Sequence, residues 1–321
     1  MNTPSASPLV SLDAIREAQA AIAPHVHQTP VLGSSYLGRR AGAWVVLKLE
    51  LFQKTGSFKA RGVINTLRQL THQERERGVI SLSAGNHAQA LAWGAARFGM
   101  QATIVMPATA VPSKVAATRE YGGEVIQTDG DLLATALELQ RERGLTLVHP
   151  FDDLRVIAGQ ATVGMEILTQ VPEVDVVIVA CGGGGLISGV AAAIKQRRPK
   201  VRVIGVEPVG ADGMTRSLAA GSPQRLEKLD TIADGLAAPF AGTRNLAHCQ
   251  AFVDDWFVVP DSEIVDAMRV LMSRCKIVPE PAGAAAVVPL LTGRLTLPPG
   301  ATVVPIVCGG NIELAKLKEL M

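Results

Sequence analysis

Four short segments combine residue types that do chemistry with positions at the ends of strands. The first is Lys54-Thr55-Gly56-Ser57-Phe58-Lys59-Ala60-Arg61-Gly62, with Lys59 in the first turn of a helix. There the macrodipole disfavours a charged amine, and Phe58 beside it helps to exclude water. An amine partly neutral near pH 7 serves as a nucleophile or a base. Taken alone, Lys59 reads as a solvated surface lysine, and the motif around it is what singles it out. The second segment, Cys181-Gly182-Gly183-Gly184-Gly185-Leu186, sets four glycines ahead of a helix expected to begin near Ile187. Without side chains, successive backbone N–H groups can converge on an anion at the positive helix end, and phosphate suits them. A tight turn alone needs only one or two glycines. The lysine and hydroxyl of a Walker A loop are missing, and so is the dinucleotide GxGxxG spacing.

The third segment, Ser83-Ala84-Gly85-Asn86-His87, offers small residues, a hydroxyl and an amide at a helix start, which suits a carboxylate. His87 has no obvious partner and reads as structural sooner than as a base. The fourth is Cys308-Gly309-Gly310-Asn311. Its thiol can face a ring nitrogen as a neutral partner, or be a small buried apolar residue.

These loops need a scaffold of strands that end beside helix starts. Apolar, β-branched runs at Val79 to Leu82, Thr103 to Met106, Glu124 to Gln127, Leu145 to Val148, Val174 to Ala180, Val201 to Val206 and Val303 to Val307 alternate with helical periodicity. That alternation predicts an α/β fold of parallel strands and crossover helices. Ligands in such folds sit outside the carboxyl ends of the strands. Val63, Ile64, Leu67 and Leu70 share a helix face that Ser57 can cap, and Ala88, Leu91, Ala92, Ala95 and Phe98 line a helix opening after Gly85 and Asn86. Asp261 or Ser262 can cap a third, whose buried face is Ile264, Val265, Met268 and Leu271.

The chain of 321 residues is 48% hydrophobic and 19% charged, which excludes disorder and predicts about two domains' worth of core. With 31 basic and 29 acidic residues, the net charge of +2 gives no footing for nucleic acid or an acidic membrane, so a small partner is expected. Cys181, Cys249, Cys275 and Cys308 lie far apart without a CxxC pair, which fits neither a zinc knuckle nor a disulfide framework and points to a reducing, cytoplasmic setting. Met1 to Pro8 reads as a loose tail and not a signal peptide. Two uncharged stretches, Val176 to Ile194 and Leu295 to Ile312, are interrupted by glycine and proline, so each is expected to split into strand, loop and helix.

Together the four loops resemble those of the pyridoxal-phosphate enzymes of the tryptophan-synthase-β type (fold type II), closest to the serine/threonine dehydratase and serine racemase branch. The resemblance spans residue 12 to the end. It rests on Leu49-Glu50, Gln53, Ser57 to Gly62, Ser83 to Gln89, Ile157-Ala158-Gly159-Gln160, Gly182 to Leu186, Ala233-Asp234-Gly235, Glu280-Pro281-Ala282-Gly283-Ala284 and Cys308 to Asn311. It implies two lobes, each a largely parallel twisted sheet flanked by helices, with pyridoxal 5'-phosphate between them. Residues 1–66 plus 151–321 would form the large lobe and 67–150 the small one. By resemblance Lys59 forms the internal aldimine and then moves the Cα proton, while Gly182, Gly183, Gly184, Gly185 and Leu186 hold the cofactor phosphate. Phe58 packs on the ring, Asn86 bonds its hydroxyl, Cys308 faces the pyridine nitrogen, and Ser83, Ala84, Gly85, Asn86 and His87 receive the substrate carboxylate. A homodimer is the family habit.

The expected reaction is β-elimination from a 3-hydroxy amino acid, most simply L-threonine or L-serine, to a 2-keto acid and ammonia. Alternatives are a serine racemase, a dehydratase of bulkier substrates such as hydroxyaspartate or phenylserine, and, in another class, a non-catalytic nucleotide-binding module. Racemases use a serine two residues before the Asn86 position, and Ala84 stands there. Glu207 and Ala211 match a cation site of some relatives, but Gly213 replaces its last acid, so no metal is expected. Ala241-Gly242 replaces the commoner Pro-Gly, which bears on the substrate pocket. With the chain stopping at Met321, feedback through an appended regulatory domain is not expected.

Overall fold

A computed structural model describes residues 8–321; the tail expected at the N-terminus lies, through residue 7, outside the described residues. The chain opens with α1 (Leu12–Ile22), β1 (Val31–Gly33), α2 (Ser35–Ala41), β2 (Trp44–Leu49) and α3 (Lys59–Leu67). Next come α4 (His72–Arg77), β3 (Val79–Leu82), α5 (Asn86–Arg97), β4 (Ala102–Pro107), α6 (Pro112–Glu120), β5 (Glu124–Thr128), α7 (Leu132–Arg143) and β6 (Thr146–Leu147). It continues through α8 (Leu154–Gln170), β7 (Val176–Ala180), α9 (Gly185–Arg197), β8 (Arg202–Pro208) and α10 (Gly213–Ala220). Then follow α11 (Thr243–Phe252), β9 (Asp255–Val259), α12 (Asp261–Val270) and β10 (Thr302–Val307).

The strands form two sheets. One has six strands in the order β1-β2-β10-β7-β8-β9, parallel except for the antiparallel β1. The other has four, all parallel, in the order β5-β4-β3-β6. Both faces of β7 and β10 are covered, which is why these strands are runs of apolar residues without alternation.

Helix α8 is a spine between the two helices that start in the site. Its residues Val156 to Leu168 are all buried. A Cβ on Gly159 would lie 2.6 Å from Gly62 Cα of α3, and one on Gly189 of α9 would lie 2.5 Å from the Ile157 carbonyl oxygen. Glycine at these crossings lets α3 and α9 approach α8 backbone to backbone, fixing Lys59 and the glycine loop against one element.

Four buried charges tie α3 to the sheet. Arg61 bonds Glu50 at 2.7 Å and Glu166 at 2.6 Å, and Lys48 bonds Glu166 at 2.6 Å. Burial alone would push the Glu50 carboxyl up, but Arg61, Lys48 and Thr29 together outweigh it and hold Glu50 below the ordinary range.

Several expectations need correction. Ser57 does not cap α3: it sits in a bridge with Gly309, and its buried hydroxyl has no partner among the described residues. Neither Asp261 nor Ser262 caps α12, where Pro260 holds the cap position. The Asp261 carboxylate instead accepts from Thr231 Oγ1 at 2.7 Å and Ile232 N at 2.8 Å. Helix α9 starts at Gly185, two residues before Ile187. The Leu295 to Ile312 stretch yields a strand between loops, with helix resuming only at Leu314. Among the described residues, no helix is long and apolar enough to cross a membrane.

Candidate active site

Strands β3, β7 and β10 deliver three of the four loops from their carboxyl ends, and the Lys59 segment joins them by backbone pairing. Phe58 N donates to Cys308 O at 3.1 Å and Gly310 N to Gly56 O at 3.0 Å. Lys59 and Cys308 are therefore neighbours. The Lys59 amine is half-buried above the Phe58 ring, 5.1 Å from its centroid, and donates to Pro150 O at 2.8 Å. Its acceptor is a carbonyl, not an anion. Desolvation pulls its pKa down to about 8, against a weaker upward pull from Cys308 and Glu280.

Asn86 opens α5 and lies between two polar partners. Its Nδ2 donates to Glu280 Oε1 at 2.6 Å, and its Oδ1 accepts from Asn311 Nδ2 at 2.7 Å. Because Asn311 Nδ2 also donates to the Thr55 carbonyl at 2.7 Å, the Asn311 amide is fixed, and Asn86 must keep its nitrogen towards Glu280. The second N–H of Asn86 Nδ2 has no acceptor among the described residues. Burial pushes the Glu280 carboxyl up to about 7, although the Asn86 bond pulls the other way. Glu280 and Asn311 also line a cavity of about 250 Å³ with Lys114, Asp234 and Glu313, and Lys114 bridges it to Asp234 at 2.8 Å. In the sequence Glu280 and Asn311 counted only among the residues that carry the family resemblance, and neither had a role of its own.

His87 turns its ring away, with Nε2 3.2 Å from Val148 O, and burial with Lys59 nearby drives its pKa down to about 3. A neutral ring that donates to a carbonyl is structural. The Ser83 hydroxyl accepts from Gly85 N at 3.2 Å, and Ala84 is partly accessible beside it. Cys308 is buried, and burial pushes its thiol well above the usual range, so it is a neutral group.

In the glycine loop a side chain would strike what lies behind. A Cβ on Gly182 would meet the Leu236 backbone at 2.9 Å, one on Gly183 the Phe151 ring at 2.5 Å, and one on Gly184 Met214 at 2.6 Å. Gly184 also has φ +99°. The glycines thus admit the surrounding loops as well as an anion. Among the described residues, none of the Gly183, Gly184 or Gly185 N–H groups meets a protein acceptor, which leaves a cluster of donors at the α9 N-terminus. Phe151 continues into an aromatic wall with His149 at 4.6 Å and Phe240 at 5.6 Å between centroids. The Glu207 carboxylate is committed to α10, accepting from Met214 N at 2.9 Å and from Thr215 N at 2.7 Å.

A desolvated lysine, a cup of free N–H groups and an amide donor suit an aromatic aldehyde that carries a phosphate, and comparison with known proteins agrees. Residues 22–309 match the family described as pyridoxal-phosphate dependent enzyme. The chain belongs to that family. Its cofactor is pyridoxal 5'-phosphate, which the residues present fit. An L-threonine ammonia-lyase of Thermotoga maritima is 42% identical over 317 residues, 98% of this chain and 78% of that one. Maize serine racemase superposes with a TM-score of 0.93 at 40% identity, covering 97% of each chain. The processed form of threonine deaminase isoform 2 from Solanum lycopersicum gives 0.91 at 34% identity, covering 100% of this chain and 95% of that one.

Proposed function

We propose that this protein removes water from a 3-hydroxy amino acid, L-threonine or L-serine in the first place, to give a 2-keto acid and ammonia. The observation that carries this reading is Lys59, desolvated and bonded to the Pro150 carbonyl beside the Phe151 ring on which the glycine cup packs, with Ala84 where a second proton carrier would stand. Bound pyridoxal 5'-phosphate supplies an electron sink for the charge left when Cα loses its proton. Lys59 holds the cofactor and takes that proton at Nζ. Gly182 to Gly185 and Leu186 hold the phosphate through backbone N–H groups. Phe58 would pack on the ring, Asn86 would donate to its hydroxyl, and Cys308 would face the ring nitrogen as a neutral thiol. The substrate carboxylate docks on Ser83, Ala84, Gly85, Asn86 and the His87 backbone, where the start of α5 presents unpaired N–H groups.

The described residues of 1–66 with 151–321 act as the large lobe and 67–150 as the small one, each built on one sheet, with the site between them. A cytoplasmic homodimer is part of the same reading. The relatives named for threonine ammonia-lyase and deaminase activity support the substrate class.

Serine racemisation is the second reading, favoured by the superposition on maize serine racemase. Reprotonation of Cα from the face opposite Lys59 needs a donor there, and Ala84 has none to give. Incubating holoenzyme with L-serine and measuring pyruvate against D-serine decides between them. Pyruvate in large excess is expected; D-serine formed as fast as pyruvate would replace this reading with the racemase.

A further inference from the structure

Asn245 lies fully buried on α11, and its two amide ends fare differently. Nδ2 donates to Gly183 O at 2.8 Å and to Phe151 O at 3.2 Å, whereas Oδ1 meets no donor among the described residues. A buried unpaired oxygen is costly. Turning the amide over would be worse, since the oxygen would then face two carbonyl oxygens while the nitrogen lost both acceptors. The two carbonyls therefore dictate the orientation of Asn245.

Those carbonyls belong to two loops of the site that pack against each other, the Phe151 ring lying under Gly183. Phe151 follows Pro150, whose carbonyl accepts from the Lys59 amine at 2.8 Å. Gly183 lies in the glycine loop, and its oxygen also accepts from Gly242 N at 3.2 Å. In a trans peptide the carbonyl and the following N–H point in opposite directions. Pinning Gly183 O against α11 therefore turns the Gly184 N–H, which has no protein acceptor, to the other side of the loop.

We propose that Asn245 is a positioning residue that sets the spacing between the Lys59 anchor and the phosphate cup, so that one ligand is gripped by its aldehyde and its phosphate together. This rests on the pyridoxal-phosphate reading of the site. Asn245 bonds neither the Lys59 amine nor a free N–H group of the cup; it acts through the Phe151 and Gly183 carbonyls.

The test compares pyridoxal 5'-phosphate with pyridoxal, which keeps the aldehyde and lacks the phosphate. Apoenzyme affinities for both are measured by absorbance titration for wild type, Asn245→Ala and Asn245→Ser, with the thermal midpoint of each apoprotein as the check on folding. Wild type should prefer the phosphate ester strongly. In Asn245→Ala that preference should shrink by about tenfold or more, the worth of one to two lost hydrogen bonds, while pyridoxal affinity stays within about threefold. Asn245→Ser retains one donor and should fall between. An unchanged preference in folded variants overturns the proposal, as does failure of both variants to fold, which would make Asn245 a folding residue. A wild type that prefers neither compound would instead remove the cofactor reading on which the proposal stands.

Discussion

The Lys59 amine donates a 2.8 Å hydrogen bond to the carbonyl oxygen of Pro150, 91 residues further along the chain. One partner begins α3; the other follows β6, so the bond ties the helix that carries the amine to the end of the four-stranded sheet. A carbonyl holds an amine in place without the charge pairing that a carboxylate would impose. Lys59 is thus oriented and still able to lose its proton.

That state sets the pH dependence of cofactor uptake. Desolvation lowers the Lys59 pKa to about 8, and the free amine is the form that attacks an aldehyde. The rate at which apoenzyme captures pyridoxal 5'-phosphate should rise as pH climbs through about 8 and level off above it. Stopped-flow absorbance against pH measures this. A rate still rising in proportion beyond pH 10, as for an ordinary lysine, would contradict it.

Ala84→Ser should give the missing face a hydroxyl. General acid–base assistance contributes roughly 10²–10⁴-fold, so recovering even part of it should raise the D-serine share of the products from L-serine by about tenfold. Chiral chromatography of the products reads the share directly. An unchanged share would mean that the face beside Ala84 is not the one that lacks a donor.

His87 supplies a stability prediction. Its pKa falls from 6.5 to about 3 on folding, so between those values the unfolded chain binds more protons than the native one, and stability from this group rises with pH. The contribution is complete above about pH 6.5 and is lost as pH falls towards 3. Denaturant unfolding of the apoprotein between pH 4 and 7 should show a steeper acid loss for wild type than for His87→Gln. Parallel curves would refute the assignment.

The buried charges beneath α3 give another. Glu50→Ala removes the carboxylate that Arg61 bonds at 2.7 Å and leaves a buried guanidinium under-paired, which typically costs about 3–5 kcal/mol. Urea denaturation should find a loss of that order. A loss below about 1 kcal/mol would show that Glu166 alone satisfies Arg61, as it could through its own 2.6 Å bond.

Much of this architecture was legible because buried parallel strands and helix starts leave strong local patterns, as Val176 to Ala180 followed by four glycines does. Three strands left none. In β2 the buried Lys48 breaks the apolar run, and its charge is satisfied by Glu166, 118 residues away. β1 has three residues and exists through its pairing with β2, while β9 is an edge strand, half-buried along much of its length. Caps failed for a related reason. Ser57 and Asp261 are good capping residues by type, but tertiary partners claimed the backbone of one and the carboxylate of the other. Within the site, the loops were readable and their supports were not. Asn245, Glu280 and Asn311 act on groups 62, 194 and 225 or more residues distant, and no local spacing records that.

The central claim is that Lys59, and no other amine, holds the cofactor. Borohydride reduction of the holoenzyme, followed by digestion and mass spectrometry, fixes the cofactor to its lysine as a stable secondary amine. The yellow absorbance should bleach, the mass of the reduced cofactor should appear on the peptide containing Lys59, and Lys59→Ala should carry no label while remaining folded. Label on Lys54 or on Lys114 at the cavity wall, or a yellow Lys59→Ala that still turns over L-threonine, would contradict the account.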